Sequence, residues 1–335
     1  MRYLVTLGLI FLCNATAAQE WEDRQVFNDA EATTTLRIIS STDTVLFAPM
    51  IEAFVARHPD VAIEYLVTGT ADIDRRFRAA PEAFDIAISS AMDLQLKLTN
   101  DGYALALENV SHPAWAEWRQ SLFAFTSEPA AIVINRSAFE GQPIPRSRQE
   151  LIEALRARPD VFRGRVGTYD VRRSGLGYLF ATQDARASET FWRLMEVMGG
   201  LGVRLYCCSG EMIDDLTDGT IAVAYNVLGS YADARAESQS ILEIVLPSDF
   251  PTTMMRTAFV SKASGEPQTA ERFIQFLIAF QSNRPEETQT LPSLQGKDNG
   301  ADRASIALEP ALITFLDTLK RNKFISEWES ALIQN

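Results

Sequence analysis

Several short runs of this 335-residue chain bring together side chains and backbone suited to holding a small charged group. Ser40-Ser41-Thr42-Asp43-Thr44 is a run of hydroxyls with one carboxylate. It lies between a short apolar strand pattern at 36–39 and apolar residues at helical spacing over 45–54. A strand that ends in such a turn and opens a helix leaves N–H groups without intrahelical partners, directed outward. Thr68-Gly69-Thr70 and Ser89-Ser90-Ala91 repeat the arrangement after strand patterns at 62–67 and 84–88. Ser174-Gly175 opens a further helix. There Ser174 can cap and donate while Gly175 lets backbone approach a guest closely. Arg172 and Arg173, just before it, offer charge-assisted, bidentate contacts to phosphate or carboxylate. Asn226 and Tyr231, beyond a strand pattern at 221–225, add an amide and a phenol. The chemistry is recognition of an anion. Capping is the competing role for Ser40, Ser41, Thr42 and Ser174, and the first expectation for Asp43.

Cys207 and Cys208 are the odd pair. In an oxidising compartment adjacent cysteines can close a ring on themselves; otherwise they pack as two small buried thiols. Closed, they would give a flat apolar plate on which a sugar ring could lie. The remaining composition narrows the classes. A net charge of −13 argues against nucleic acid. With only His58 and His112, a histidine-rich metal site is excluded and no metal or cofactor is expected. No Gly-x-Ser-x-Gly elbow is present, so a secreted hydrolase stands only as the rival class.

The first eighteen residues read as an export signal. Arg2 is the positive start, 3–12 the apolar core, and Ala15-Thr16-Ala17 the small-x-small cleavage pattern. Cys13 follows Leu12, where a lipidated cysteine wants a small residue. Residues 19–35 are polar and acidic and predict a loosely attached leader. Strand and helix patterns then alternate, which predicts a mostly parallel sheet with ligand loops beyond the carboxyl ends of its strands. At 126–129 the chain reads as a hinge crossing into a second lobe, and 241–247 as the strand that returns. Ser147 and Glu150 form a capping box. The tail predicts helices at 269–281, 311–320 and 324–333, with a surface loop over 281–304.

This order of parts resembles the periplasmic solute-binding proteins of ABC transporters, in the branch that includes ferric-ion and sugar-phosphate binders. The matching pieces are Ile39-Ser40-Ser41, the run 85–90, Val166-Gly167 followed by Ser174-Gly175, and the run 218–223. The likeness spans about 36–277. It implies an α/β, two-lobed periplasmic-binding-protein type II fold with two hinge-crossing strands. The implied layout is a signal at 1–18, lobe 1 from 34–126 plus about 250–285, and lobe 2 from 127–249, with 286–335 unassigned. It also implies a periplasmic, non-enzymatic monomer that passes a small anionic organic solute to an inner-membrane ABC permease, or reports it to a sensor kinase. Ferric binders of the branch carry neighbouring tyrosines after the last strand. Here that stretch is Tyr225-Asn226-Val227-Leu228, which shifts the expectation from iron towards a phosphate ester or carboxylate.

Overall fold

The computed structural model describes residues 21–30, 32–234, 241–283, 290–294 and 305–333; the export segment lies outside them. The first sheet holds β1 (Asp23–Phe27), β2 (Thr34–Ser40), β3 (Val61–Val67), β4 (Ile86–Ser89), β5 (Glu117–Trp118) and β6 (Leu122–Ala124). Its strand order is β1-β3-β2-β4-β13-β6-β5, where β13 is Thr257–Val260. β3, β2 and β4 run parallel. β3 and β4 are almost wholly buried, as is the carboxyl half of β2, as strands covered on both faces by helices must be. The covering helices include α1 (Thr44–Val55), α2 (Thr70–Ala79) and α3 (Met92–Asn100), each beginning just past the carboxyl end of a parallel strand.

The second sheet holds β7 (Glu128–Asn135), β8 (Val166–Tyr169), β9 (Arg204–Tyr206), β10 (Val223–Leu228) and β11 (Leu242–Val245), in the order β11-β7-β10-β8-β9. Around it lie α4 (Arg148–Ala157), α5 (Pro159–Phe162), α6 (Gly175–Ala187), α7 (Thr190–Gly200), α8 (Ser209–Thr217) and α9 (Gly229–Asp233). Ser147 caps α4 by accepting from the Glu150 amide, and the Glu150 carboxylate reaches back to the Arg146 amide. α6 lies so close on β8 that a Cβ on Gly177 would fall 2.8 Å from Cγ of Tyr169, so only glycine fits.

Among the described residues, strands carry the chain between the sheets twice. β6 leads into β7 through residues 125–127, and β12 (Thr253–Met254) pairs with the start of β7 before β13 re-enters the first sheet. The two passages are tied together, Phe125 N–H donating to the Arg256 carbonyl at 3.0 Å. The returning passage is therefore β12 to β13. Residues 241–247, expected to make it, instead form β11 on the edge of the second sheet, where Leu242 to Val245 pair with β7.

Two other expectations change. The acidic leader contains β1, which adds antiparallel to β3; Trp21 beside it stacks under the Arg76 guanidinium at 4.4 Å. A strand-sized run of polar residues was legible only as a tail, because an edge strand needs no apolar face. In the tail, a 3-10 segment (Pro310–Leu316) precedes one helix, α11 (Thr318–Leu332), capped by Asp317, where two separate helices were expected. α10 (Pro267–Asn283) covers the first sheet. α11 buries Phe324, Trp328 and Leu332 against α7, while the 3-10 segment packs on α3, so the tail touches both lobes. No helix among the described residues is long and apolar enough to cross a membrane.

Candidate functional site

The carboxyl ends of the parallel strands in both sheets face one cavity between the lobes. From the first lobe come Ser41 and Asp43 before α1, Thr68, Gly69 and Thr70 at the start of α2, and Ser90 before α3. The second lobe supplies Ser174 and Leu176 from the start of α6, Cys207, Cys208 and Ser209 from the start of α8, and Tyr231 from α9. Each of α1, α2, α3, α6 and α8 points its N-terminal end, the positive end of its dipole, towards this space. The cavity is small, about 30 Å³, room for roughly two waters. The lobes meet closely around it.

Contacts across the cleft hold it shut. The Leu176 amide donates to Thr70 Oγ1 at 3.1 Å, and the Tyr231 hydroxyl donates to Asp43 Oδ1 at 3.2 Å. Gly175 lies against the first lobe, where an added Cβ would meet Cδ1 of Leu94 at 2.8 Å. Here glycine serves close approach, lobe against lobe, and the residue itself lines the neighbouring groove.

Beneath the cavity, at the paired passages, sits an ion pair with no exposed partner. Arg256 is 0% and Glu128 1% exposed, and the guanidinium donates to both carboxylate oxygens at 2.9 and 3.2 Å. Arg256 also donates to Thr42 Oγ1 at 2.6 Å, and Ser230 of the second lobe donates to Glu128 at 2.6 Å. Every charged oxygen and nitrogen pair thus has a partner, as burial demands. Ser40 serves the same floor, its hydroxyl accepting from Tyr65 at 2.7 Å and from the Thr42 amide.

Of the residues expected at the site, the structure brings Ser41, Thr68, Gly69, Thr70, Ser90, Ser174, Tyr231, Cys207 and Cys208 to one cavity. Ser40, Thr42, Ser89 and Ala91 lie buried under it; the Ser89 hydroxyl accepts from the Ala91 amide. Three residues are corrected. Arg172 lines the neighbouring groove and not this cavity, its guanidinium held by Asp170 at 2.7 Å and Glu329 at 3.1 Å, and Arg173 is exposed beside it. Asn226 sits at the bulge of β10 with φ 63° and donates to Asp184 at 2.8 Å. That carboxylate belongs to a buried knot with Arg148, Tyr225 and Thr252, which pins α4, α6 and β10 together. Among the described residues, no guanidinium lines this cavity.

Sequence reasoning missed Glu22, Tyr169, Leu228 and Ser209, which also line the cavity. Glu22 arrives on the chain entering β1 and was hidden because that strand was. Burial, with Asp43, Asp72 and Glu211 nearby, pushes its carboxyl above the usual range. Tyr169 bonds Ser209 at 2.5 Å, and burial raises both its phenol and that of Tyr231. Cys207 and Cys208 are joined by a disulfide, and its sulfurs form part of the wall. Neither histidine takes part: His58 packs on Phe54, and His112 bonds the Ala124 carbonyl.

Two α/β lobes, a double crossing and a lined interlobe cleft define a receptor of the periplasmic-binding-protein kind. Solved structures place it further. The chain is 32% identical to the substrate binding protein of an ABC transporter from Agrobacterium tumefaciens, covering 92% of this chain and 98% of that one, with a TM-score of 0.84. The fold is shared with the periplasmic binding protein AfuA from Actinobacillus pleuropneumoniae, holding fructose-6-phosphate (13% identity, 91% and 100% covered, TM-score 0.72). It is shared too with iron-bound HitA from Pseudomonas aeruginosa (14%, 89% and 99%, TM-score 0.65). No protein-family model and no curated protein matches. The chain belongs to the substrate-binding proteins of ABC transporters, which deliver solutes to their permeases.

Proposed function

We propose that this protein captures a small oxyanion-bearing organic solute in the periplasm, by closure of its two lobes, and hands it to an inner-membrane ABC permease. The observation that carries the reading is the convergence of five helix N-termini and the hydroxyls of Ser41, Thr70, Ser90, Ser174 and Tyr231 on one interlobe cavity. Exposed amide dipoles and hydroxyls donate to oxyanions. Micromolar affinity needs about −8 kcal/mol. A few hydrogen bonds to a charged group, roughly 1.5–3 kcal/mol each, supply most of it. The stretch Tyr225-Asn226-Val227-Leu228 offers no neighbouring tyrosine pair, and the Tyr225 phenol is taken up by Asp184 and Arg148, which favours this cargo over ferric ion.

A thermal-shift panel of sugar phosphates, phosphonates, di- and tricarboxylates and ferric citrate tests the reading. One organic oxyanion should raise Tm with concentration, and Thr70→Val or Ser174→Ala should reduce the rise. A shift from ferric citrate alone, or one untouched by both substitutions, refutes it.

A further inference from the structure

A second and larger cavity, about 420 Å³, opens on the other side of the Gly175 contact. That volume lies within the range of small-molecule sites, ~300–1,000 Å³. α2 and α3 of the first lobe wall it on one side, α6 on the other, and Leu316 and Arg321 of the tail close it. Its apolar surface comes from Ala71, Leu94, Val171 and Tyr178.

Most charges around it are spent. Arg78 pairs with Asp74 and Asp101, Lys97 with Asp101, and Arg172 with Asp170 and Glu329. Two are not. The carboxyl of Asp93, 2% exposed, accepts from the Leu94 amide at 2.9 Å and from its own amide, and it forms no ion pair among the described residues; Arg321 acts on it only through space. The Arg321 guanidinium lies over the Tyr178 ring at 5.3 Å and pairs with no carboxylate among them. A buried carboxylate without a counter-charge is costly unless a donor reaches it. Its remaining acceptor positions and the donors of the guanidinium line one partly apolar space.

We propose that this cavity is a second binding site, for a small zwitterion with an apolar body such as a free α-amino acid. Asp93 takes the ammonium and Arg321 the carboxylate. Because both lobes build the walls, the occupant favours the shut form and strengthens solute capture in the cleft.

Titration calorimetry and thermal shifts with the common free α-amino acids test it, each apolar one beside its decarboxylated amine and its deaminated acid. At least one amino acid should bind, with both single-charge relatives tenfold or more weaker. Asp93→Asn and Arg321→Gln should each weaken it tenfold or more. Ala71→Phe, which fills the space and leaves the charges alone, should abolish it. All three variants should still bind the cleft solute, which separates a failed site from a failed fold and from a failure of the cleft reading. If no amino acid binds, or if one binds equally well to all three variants, the proposal is overturned.

Discussion

Gly175→Ala isolates lobe closure from folding. The new Cβ would stand 2.8 Å from Leu94 Cδ1 and 3.2 Å from both Ala91 Cβ and Thr70 Oγ1, all across the cleft. Leu94 can swing its methyl aside. Ala91 cannot, since its Cβ is fixed to buried backbone, and Thr70 is held as the acceptor for the Leu176 amide. Overpacking costs about 1–3 kcal/mol; with one of three neighbours yielding, about 1–2 kcal/mol is expected, or roughly 5–30-fold in affinity. The cost falls on the shut form alone. In the open form the methyl meets solvent at the first position of α6, where alanine suits a helix better than glycine. Calorimetry with the cleft solute should therefore show weaker binding, while urea unfolding of the free protein shows equal or greater stability. Unchanged affinity, or a loss of stability matching the loss of affinity, would refute the reasoning.

Other perturbations test other parts. Glu128→Gln strands the Arg256 charge under the cleft and should cost about 3–5 kcal/mol in urea unfolding, against well under that for a surface pair such as Arg75–Asp72. At Cys207 and Cys208, alkylation should add two labels only after reduction, and Cys207→Ser with Cys208→Ser should alter solute affinity while barely moving Tm, since adjacent cysteines close almost no chain loop. Burial pushes the Asp93 carboxyl up to about 7, with Asp74 raising and Arg321 lowering it. The folded chain thus holds this proton more tightly than the unfolded one. Its contribution is full below the ordinary carboxylate range and is lost as pH rises through about 7, at up to roughly 1.4 kcal/mol per pH unit. Asp93→Asn should flatten that part of the stability profile; an identical profile in the variant would contradict it.

Much of the fold was legible because its signals are local. The apolar runs of β2, β3 and β4, each followed by a hydroxyl turn, fix both a parallel sheet and the loops at its carboxyl edge. Ser41, Thr70 and Ser90 were placed at that edge for this reason, and they line one cavity. What escaped depends on pairings distant in sequence. Glu22 reaches the cleft because β1 joins β3, some 40 residues away by register, and a polar edge strand leaves no apolar pattern to read. Arg256 and Glu128 meet only because two passages between lobes run side by side. Arg172 looked like an anion anchor from its place before a helix, but Asp170, two residues back, takes its guanidinium, and Glu329 of α11 adds a partner from far along the chain. Asn226 was misplaced by a bulge that turns its amide to Asp184.

Hydrogen exchange, with and without the solute that the panel identifies, reads the closing of the cleft at named amides. Protection should rise at Leu176, at Ser209 and at the loops around Ser41, Thr70 and Ser90, on both lobes together, with the buried centres of β3 and β10 unchanged. Protection confined to one lobe, or appearing only around Glu52, Arg57 and Phe280 on the far face, would contradict capture between the lobes.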